Sequence, residues 1–196
     1  MGRRVLFCGV GAIGSTAAML CRNLPAEADV ELALCDFDRV EAKNLRAQVF
    51  TKQALGKNKA EALKLELWNF WGVRAEALPV RLGAENVASL CTGAALLVDC
   101  FDNLASRQIL SGHARAAGLP LVHAALSGDG TFGLVRFDER FVPDAEDHAG
   151  QATCEGGEHL PFIGLLAGAL ARAIQDFLRT GERRDSIVTL TGCQRT

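Results

Sequence analysis

The 196-residue chain predicts an α/β fold, a doubly wound and mostly parallel sheet with helices on both faces. Three observations carry this prediction. Short apolar runs alternate with stretches of helical spacing along most of the chain, which is the pattern of βαβ units. The run 94–100 is almost continuously apolar, as expected of a strand buried on both faces. The first apolar run passes into the first helical stretch through three closely spaced glycines, Gly9, Gly11 and Gly14. Composition agrees: 49% hydrophobic and 22% charged residues exclude disorder, collagen and coiled coil as whole-chain readings.

The elements follow in order. Residues 4–8 form a short apolar run that ends in glycines, hence a strand. Residues 12–24 have helical spacing and stop before Pro25, and residues 30–35 are a second strand closed by Asp36. Residues 57–70 favour helix, with Ala60, Leu63, Leu67 and Phe70 along one stripe. Residues 75–82 read as a strand despite Pro79, and 94–100 as the buried strand. Residues 103–117 are helical and end at Gly118, a C-cap signal followed by Pro120. Strands at 121–126 and 131–137 flank a Gly128-Asp129-Gly130 turn. Residues 138–157 form a polar, acidic loop, 160–178 a helix, and 186–191 a last strand. No repeat or linker is evident, so one domain is expected over 1–196.

Formal charge is −2, which gives no pull towards nucleic acid or an anionic membrane. The apolar run 160–174 contains Arg172 and two glycines and is shorter than the roughly 18 residues of a spanning helix, so it reads as a core or interface helix. The opening Arg3-Arg4 and apolar run imitate a signal peptide, but glycines break it at once. Gly2 imitates a myristoylation site, but that pattern requires Ser or Thr where Leu6 stands. Seven scattered cysteines without C-x-x-C suggest reduced thiols and a cytoplasmic protein.

Gly9-Val10-Gly11-Ala12-Ile13-Gly14 is G-x-G-x-x-G between a strand and a helix, a Rossmann-like arrangement that lets backbone N–H groups approach a phosphate. Asp36, about twenty residues on, is placed to accept hydrogen bonds from ribose hydroxyls. The motif does not choose the nucleotide, and by itself it also suits an NAD-dependent oxidoreductase.

Three further stretches narrow the choice. Residues 36–48 read Asp36-Phe-Asp38-Arg-Val-Glu-Ala-Lys-Asn44-Leu-Arg46-Ala47-Gln48. Gly56-Lys57-Asn58-Lys59-Ala60 opens a helix. Asp99-Cys-Phe-Asp102-Asn103-Leu-Ala-Ser-Arg107 runs from a strand end into a helix. With Thr153-Cys154-Glu155 and Pro161-Phe162-Ile163-Gly164 further on, this series resembles the ThiF/MoeB/HesA family, bacterial relatives of ubiquitin-activating enzymes. The resemblance implies a nucleotide-binding core over 1–125 with a loop and C-terminal helix over 138–180. It implies ATP-dependent adenylation of the C-terminal Gly or Gly-Gly carboxylate of a ubiquitin-like protein or peptide, with magnesium. It assigns Lys59 to the phosphates, Asp102 to magnesium and Asp36 to the ribose. Asn44 and Gln48 become neutral donors near the phosphates, beside Gly9, Gly11, Ala12, Gly14 and Asp38. It also implies a homodimer or a heterodimer with a relative, for which Gly164 and Gly168 offer a close-approach face.

The chain departs from the family pattern. N-L-x-R-Q places Arg directly before Gln, whereas here Ala47 holds that position and Arg46 sits one residue early, a rotation of about 100° on a helix. A cation-bearing segment ahead of the first strand is expected to be absent, and with it the extra sheet that grips the partner. No paired C-x-x-C exists, so no zinc is expected. These departures suit a second reading, a non-catalytic subunit that pairs with an active relative. Cys8, Cys35 and Cys100 are expected to cluster as small apolar residues, and His113 and His123 to be structural. His148, Cys154 and His159 lack a fourth ligand in pattern. Cys154 matches a cysteine that in some members receives the activated acyl group.

Overall fold

A computed structural model describes residues 3–127, 130–142 and 159–196. Strand β1 (Arg3–Cys8) lies at the centre, with β2 (Val30–Cys35) and β3 (Ala75–Leu78) to one side. On the other side follow β4 (Ala94–Asp99), β5 (Leu121–Leu126), β6 (Phe132–Phe137), β7 (Ser186–Thr189) and β8 (Gly192–Arg195). The order is β3-β2-β1-β4-β5-β6-β7-β8, parallel from β3 to β5 and antiparallel from β5 to β8. Sequential strands thus move outward in both directions from β1, and the C-terminal ends of β1, β2 and β4 share one edge. That divergence is where α/β sheets open a crevice for ligand.

Helices cover both faces. On one face lie α1 (Ala12–Leu20), α2 (Leu24–Ala28), α3 (Lys59–Trp71) and, further along the chain, α6 (Leu160–Thr180), packed on Val5, Phe7, Leu32, Leu34, Leu96 and Val98. On the other lie α4 (Val87–Leu90) and α5 (Leu104–Ala117), against Leu6, Ala33 and Leu97. The alternation along each strand divides these two sets, since successive side chains leave a strand on opposite faces. Each fully buried Leu contributes about 1.5–3 kcal/mol.

Several expectations change. The predicted helix 12–24 is two helices: α1 ends at Leu20, and Pro25 sits in the first turn of α2, where its missing N–H costs nothing. The predicted helix 57–70 starts at Lys59, because Asn58 caps it by accepting from the Glu61 amide at 3.1 Å. Its stripe holds at Ala60, Leu63 and Leu67, but Phe70 is 64% exposed. Strand β3 stops at Leu78, before Pro79, which has no N–H for the ladder. Helix α5 does end at Gly118, which takes the left-handed conformation at φ 65°. Helices α4 and strand β8 were not expected. Helix α6 runs 21 residues and is by length and composition able to cross a membrane, so the expectation that the apolar segment is too short fails. Half of the relevant stretch is buried inside the protein, however, and Phe162, Ile163, Leu166, Leu170 and Ile174 pack in the core. The loop residues 143–158, including His148 and Cys154, lie outside the described residues.

Candidate nucleotide site

The glycine turn is built by close approach. Gly9 has φ 86°, and a Cβ there would lie 2.9 Å from the Cys100 carbonyl oxygen. A Cβ on Gly14 would lie 2.0 Å from the Gly9 oxygen, so the first turn of α1 presses directly on the loop. Gly11 differs: its nearest neighbour would be the Gln48 Nε2, at 4.0 Å. Gly11 is also the N-cap of α1, with no side-chain cap and no acid in the first turn. Among the described residues the first N–H groups of α1 therefore have no side-chain cap, an arrangement that suits an anion.

Asp36 ties the second strand to this turn. Its Oδ2 accepts from the Val10 amide at 2.8 Å and its Oδ1 from the Asp38 amide at 2.9 Å. Burial pushes the carboxyl above its ordinary range, against these two hydrogen bonds and the charge of Lys59. Each oxygen keeps a lone pair for a further donor.

Lys59 opens α3, and its Nζ lies 3.2 Å from Asp38 Oδ2; the lysine side chain is 10% exposed and the aspartate 48%. Sequence reasoning gave Asn58 no role, yet its Nδ2 donates to the Asp36 and Asp38 carbonyls at 2.8 and 3.1 Å. It thereby fixes the strand end against the helix that carries Lys59. Its position just before a helical run was the available signal.

The two amides expected near phosphate behave differently. Asn44 is buried, and its Oδ1 accepts from the Glu41 amide at 2.8 Å, which holds the 3-10 turn Ala42–Arg46. Gln48 reaches the glycine turn, and its Oε1 is buried without a hydrogen-bond partner. That oxygen accepts and so calls for a donor, whereas the Nε2 amide beside Gly11 is the group that can donate to a phosphate. Arg46 is exposed, and Ala47 packs with Ala12 and Ile163 at 2% exposure. The side chain directly before Gln48 thus points at the glycine turn, and it carries no charge.

Asp102 is exposed beyond the end of β4. Asn103, not Asp102, caps α5, by accepting from the Ser106 amide at 2.9 Å. That leaves Asp102 without a capping role. Among the described residues no group of three or more His, Cys, Asp or Glu is placed to hold a metal. One carboxylate nevertheless suits magnesium, which keeps waters and takes phosphate oxygens as its remaining ligands. Arg107 donates to the carbonyls of Phe101 and Ala124 and so anchors the end of β4 to β5.

The cysteines cluster. Cys8 pairs in register with Cys35, and the Cys100 amide donates to the Cys8 carbonyl at 2.8 Å. Burial pushes Cys8 and Cys100 well up, Cys35 to about 12 and Cys91 to about 11, so these remain thiols of low reactivity.

A strand–glycine turn–helix at the diverging edge of a parallel sheet, closed by a buried acid on the second strand, defines a nucleotide-binding protein of the Rossmann type. The chain belongs to the ThiF family, which it matches over residues 2–179. It is 28% identical over 188 residues to the adenylyltransferase and sulfurtransferase UBA4 of Debaryomyces hansenii, covering 89% of this chain and 41% of that one. It is 30% identical to the molybdopterin-synthase adenylyltransferase of Salmonella typhimurium, covering 86% and 70%. It is 33% identical over 124 residues to the sulfur carrier protein adenylyltransferase of Thermus thermophilus, covering 62% and 45%. The chain thus spans about two fifths of the length of UBA4. Among solved structures, Escherichia coli MccB with AMPCPP and MccA superposes with a TM-score of 0.76 at 17% identity, covering 99% of this chain and 63% of that one. MccB with ATP gives 0.74 at 17% identity over the same shares. These structures establish the fold.

Proposed function

We propose that the chain adenylates the C-terminal carboxylate of a ubiquitin-like protein or peptide, using ATP and magnesium. The observation that carries this reading is the uncapped start of α1 with the Gln48 Nε2 amide beside Gly11, and Lys59 and Asp36 converging on the same strand ends. The names of the relatives and the nucleotides bound by MccB support it. In the reaction a carboxylate oxygen bonds to the α-phosphorus, the bond from that phosphorus to the bridging oxygen breaks, and pyrophosphate leaves with the electron pair. Two anions must meet, so catalysis consists of positioning and positive charge. The α1 N–H groups and Gln48 bind phosphate, Asp36 orients the ribose, and Lys59 offsets charge. Magnesium, held by Asp102, would supply the remaining charge neutralisation. Cys154 would take the acyl group only after the adenylate forms. The chain acts in the cytoplasm and pairs with a second copy or a relative through the outer face of α6.

One observation favours a second reading, a non-catalytic subunit. Where the family pattern has arginine, a buried Ala47 faces the glycine turn and Arg46 points elsewhere. Exchange of labelled pyrophosphate into ATP separates the two. With a carrier protein or peptide ending in Gly-Gly, the enzyme reading expects exchange, and Lys59→Ala or Asp102→Ala should each reduce it by roughly 100- to 1,000-fold. Cys154→Ala should leave it intact. Binding of ATP without exchange for any Gly-Gly-tailed candidate would support the non-catalytic subunit.

A further inference from the structure

The side of the sheet opposite α1 holds a buried ionic chain that the reading above does not use. His123, on β5, is fully buried. Its Nδ1 lies 2.7 Å from Asp99 Oδ2 and its Nε2 lies 2.9 Å from Asp138 Oδ1. Phe141 stacks flat on the imidazole, with ring centroids 4.0 Å apart, and closes it off from water. We propose that His123 is a positioning residue for Asp102, clamping Asp99 and Asp138 through its two ring nitrogens. The proposal rests on the reading of Asp102 as the magnesium ligand.

The path from the clamp to Asp102 is short and continuous. Asp99 uses one oxygen for His123 and the other for the Phe101 amide, at 2.9 Å. The Phe101 carbonyl takes Arg107 Nε at 2.9 Å, and Arg107 itself lies 3.6 Å from Asp99. Both backbone groups of the residue before Asp102 are therefore fixed, and both fixings pass through Asp99 or its arginine. The Cys100 carbonyl of the same turn packs against Gly9, so the turn also forms one wall of the glycine loop. Losing the clamp would free Asp99 to rotate and would release the Phe101 amide.

One proton must lie between each ring nitrogen and the carboxylate oxygen it meets, because two lone pairs repel. Burial pushes the Asp138 carboxyl up, but hydrogen bonds from Arg115, Ser111 and His123 outweigh burial and hold it below the usual range. The charged groups around the imidazole are Asp99 from β4, Asp138 from the turn after β6, Arg107 and Arg115 from α5, and Arg136, its register partner on β6. Without the imidazole Asp99 would keep the Phe101 amide and Asp138 would keep Ser111 and Arg115, but nothing would join the two carboxylates.

Two measurements test this. In protein labelled with 15N-histidine, both ring nitrogens of His123 should show hydrogen-bonded shifts, and the Nε2 shift should move in Asp138→Asn; a ring that Asp138→Asn leaves unchanged overturns the clamp. ATP affinity should then be measured with magnesium and with chelator, for wild type and for His123→Asn, which has one amide to offer and no charge. The magnesium-dependent gain in affinity should fall roughly 10- to 100-fold, as for outer partners of metal ligands, with chelated ATP bound as before. Asp138→Asn, which keeps the shape of the site, should act in the same direction and serves if His123→Asn does not fold. An equal loss with and without magnesium, or none, overturns the inference alone. Wild type that gains nothing from magnesium overturns the reading of Asp102, and this inference with it.

Discussion

The three glycines of the nucleotide turn do different work, and the difference is measurable. At Gly14 an added methyl would meet the Gly9 carbonyl oxygen at 2.0 Å, a contact with backbone on both sides that cannot relax. Gly14→Ala should cost roughly 3 kcal/mol or more of stability. At Gly11 the only atom of the described residues near an added methyl is the Gln48 amide nitrogen at 4.0 Å, so the fold should tolerate Gly11→Ala with little change. The methyl would instead occupy the space in front of the α1 amides. Chemical denaturation should therefore show a large loss for Gly14→Ala and almost none for Gly11→Ala, and ATP titration should show a clear loss of affinity for Gly11→Ala. Unchanged affinity would mean that phosphate does not sit at this helix terminus.

At the scale of elements, α6 presents two unlike faces. Phe162, Ile163, Leu166, Leu170 and Ile174 are buried, and the helix packs along α1. Leu160 and Leu165 are 48% and 45% exposed, and a methyl at Gly164 or Gly168 would meet nothing within 4 Å. Among the described residues no neighbour requires those glycines. Gly164→Ala should then stabilise an isolated chain by up to about 1 kcal/mol, the ordinary helix preference. If the face binds a second copy, Leu165→Glu should convert a dimer to a monomer in light scattering without lowering the Tm of the monomer. A monomeric wild type at working concentration would remove the pairing reading.

At the scale of the whole molecule, the crevice at the diverging edge of the sheet decides which ligand stabilises the fold. A ligand that binds only the folded state adds RT ln(1 + [L]/Kd), about 2.7 kcal/mol at a hundredfold excess over Kd. ATP with magnesium should raise Tm accordingly and NAD should not. A rise with NAD alone would favour the oxidoreductase alternative and displace Lys59 and Asp102 from their proposed roles.

The sequence by itself determined the fold class, the place of the glycine turn and the family, because these depend on local chemistry. A period of two or of 3.6 residues, a turn that demands glycine and an asparagine cap each act within a few residues of one another. Asp36 was proposed from its spacing after the glycine turn, and Lys59, Gln48 and Asp102 from the resemblance of the motifs that hold them. What only the tertiary structure decided involves partners far apart in the chain. Asn58 bonding to the Asp36 carbonyl, Ala47 facing Ala12 and Ile163, and the spare Oε1 of Gln48 all depend on how separate elements meet. His123 shows this most clearly. It reads in sequence as one polar residue in an apolar strand, and it becomes a clamp only because β4, β5 and the turn after β6 bring Asp99 and Asp138 to its two nitrogens. Buried carboxylates are tolerated where hydrogen-bonding partners meet them, and the sheet order, not the local sequence, brings those partners together.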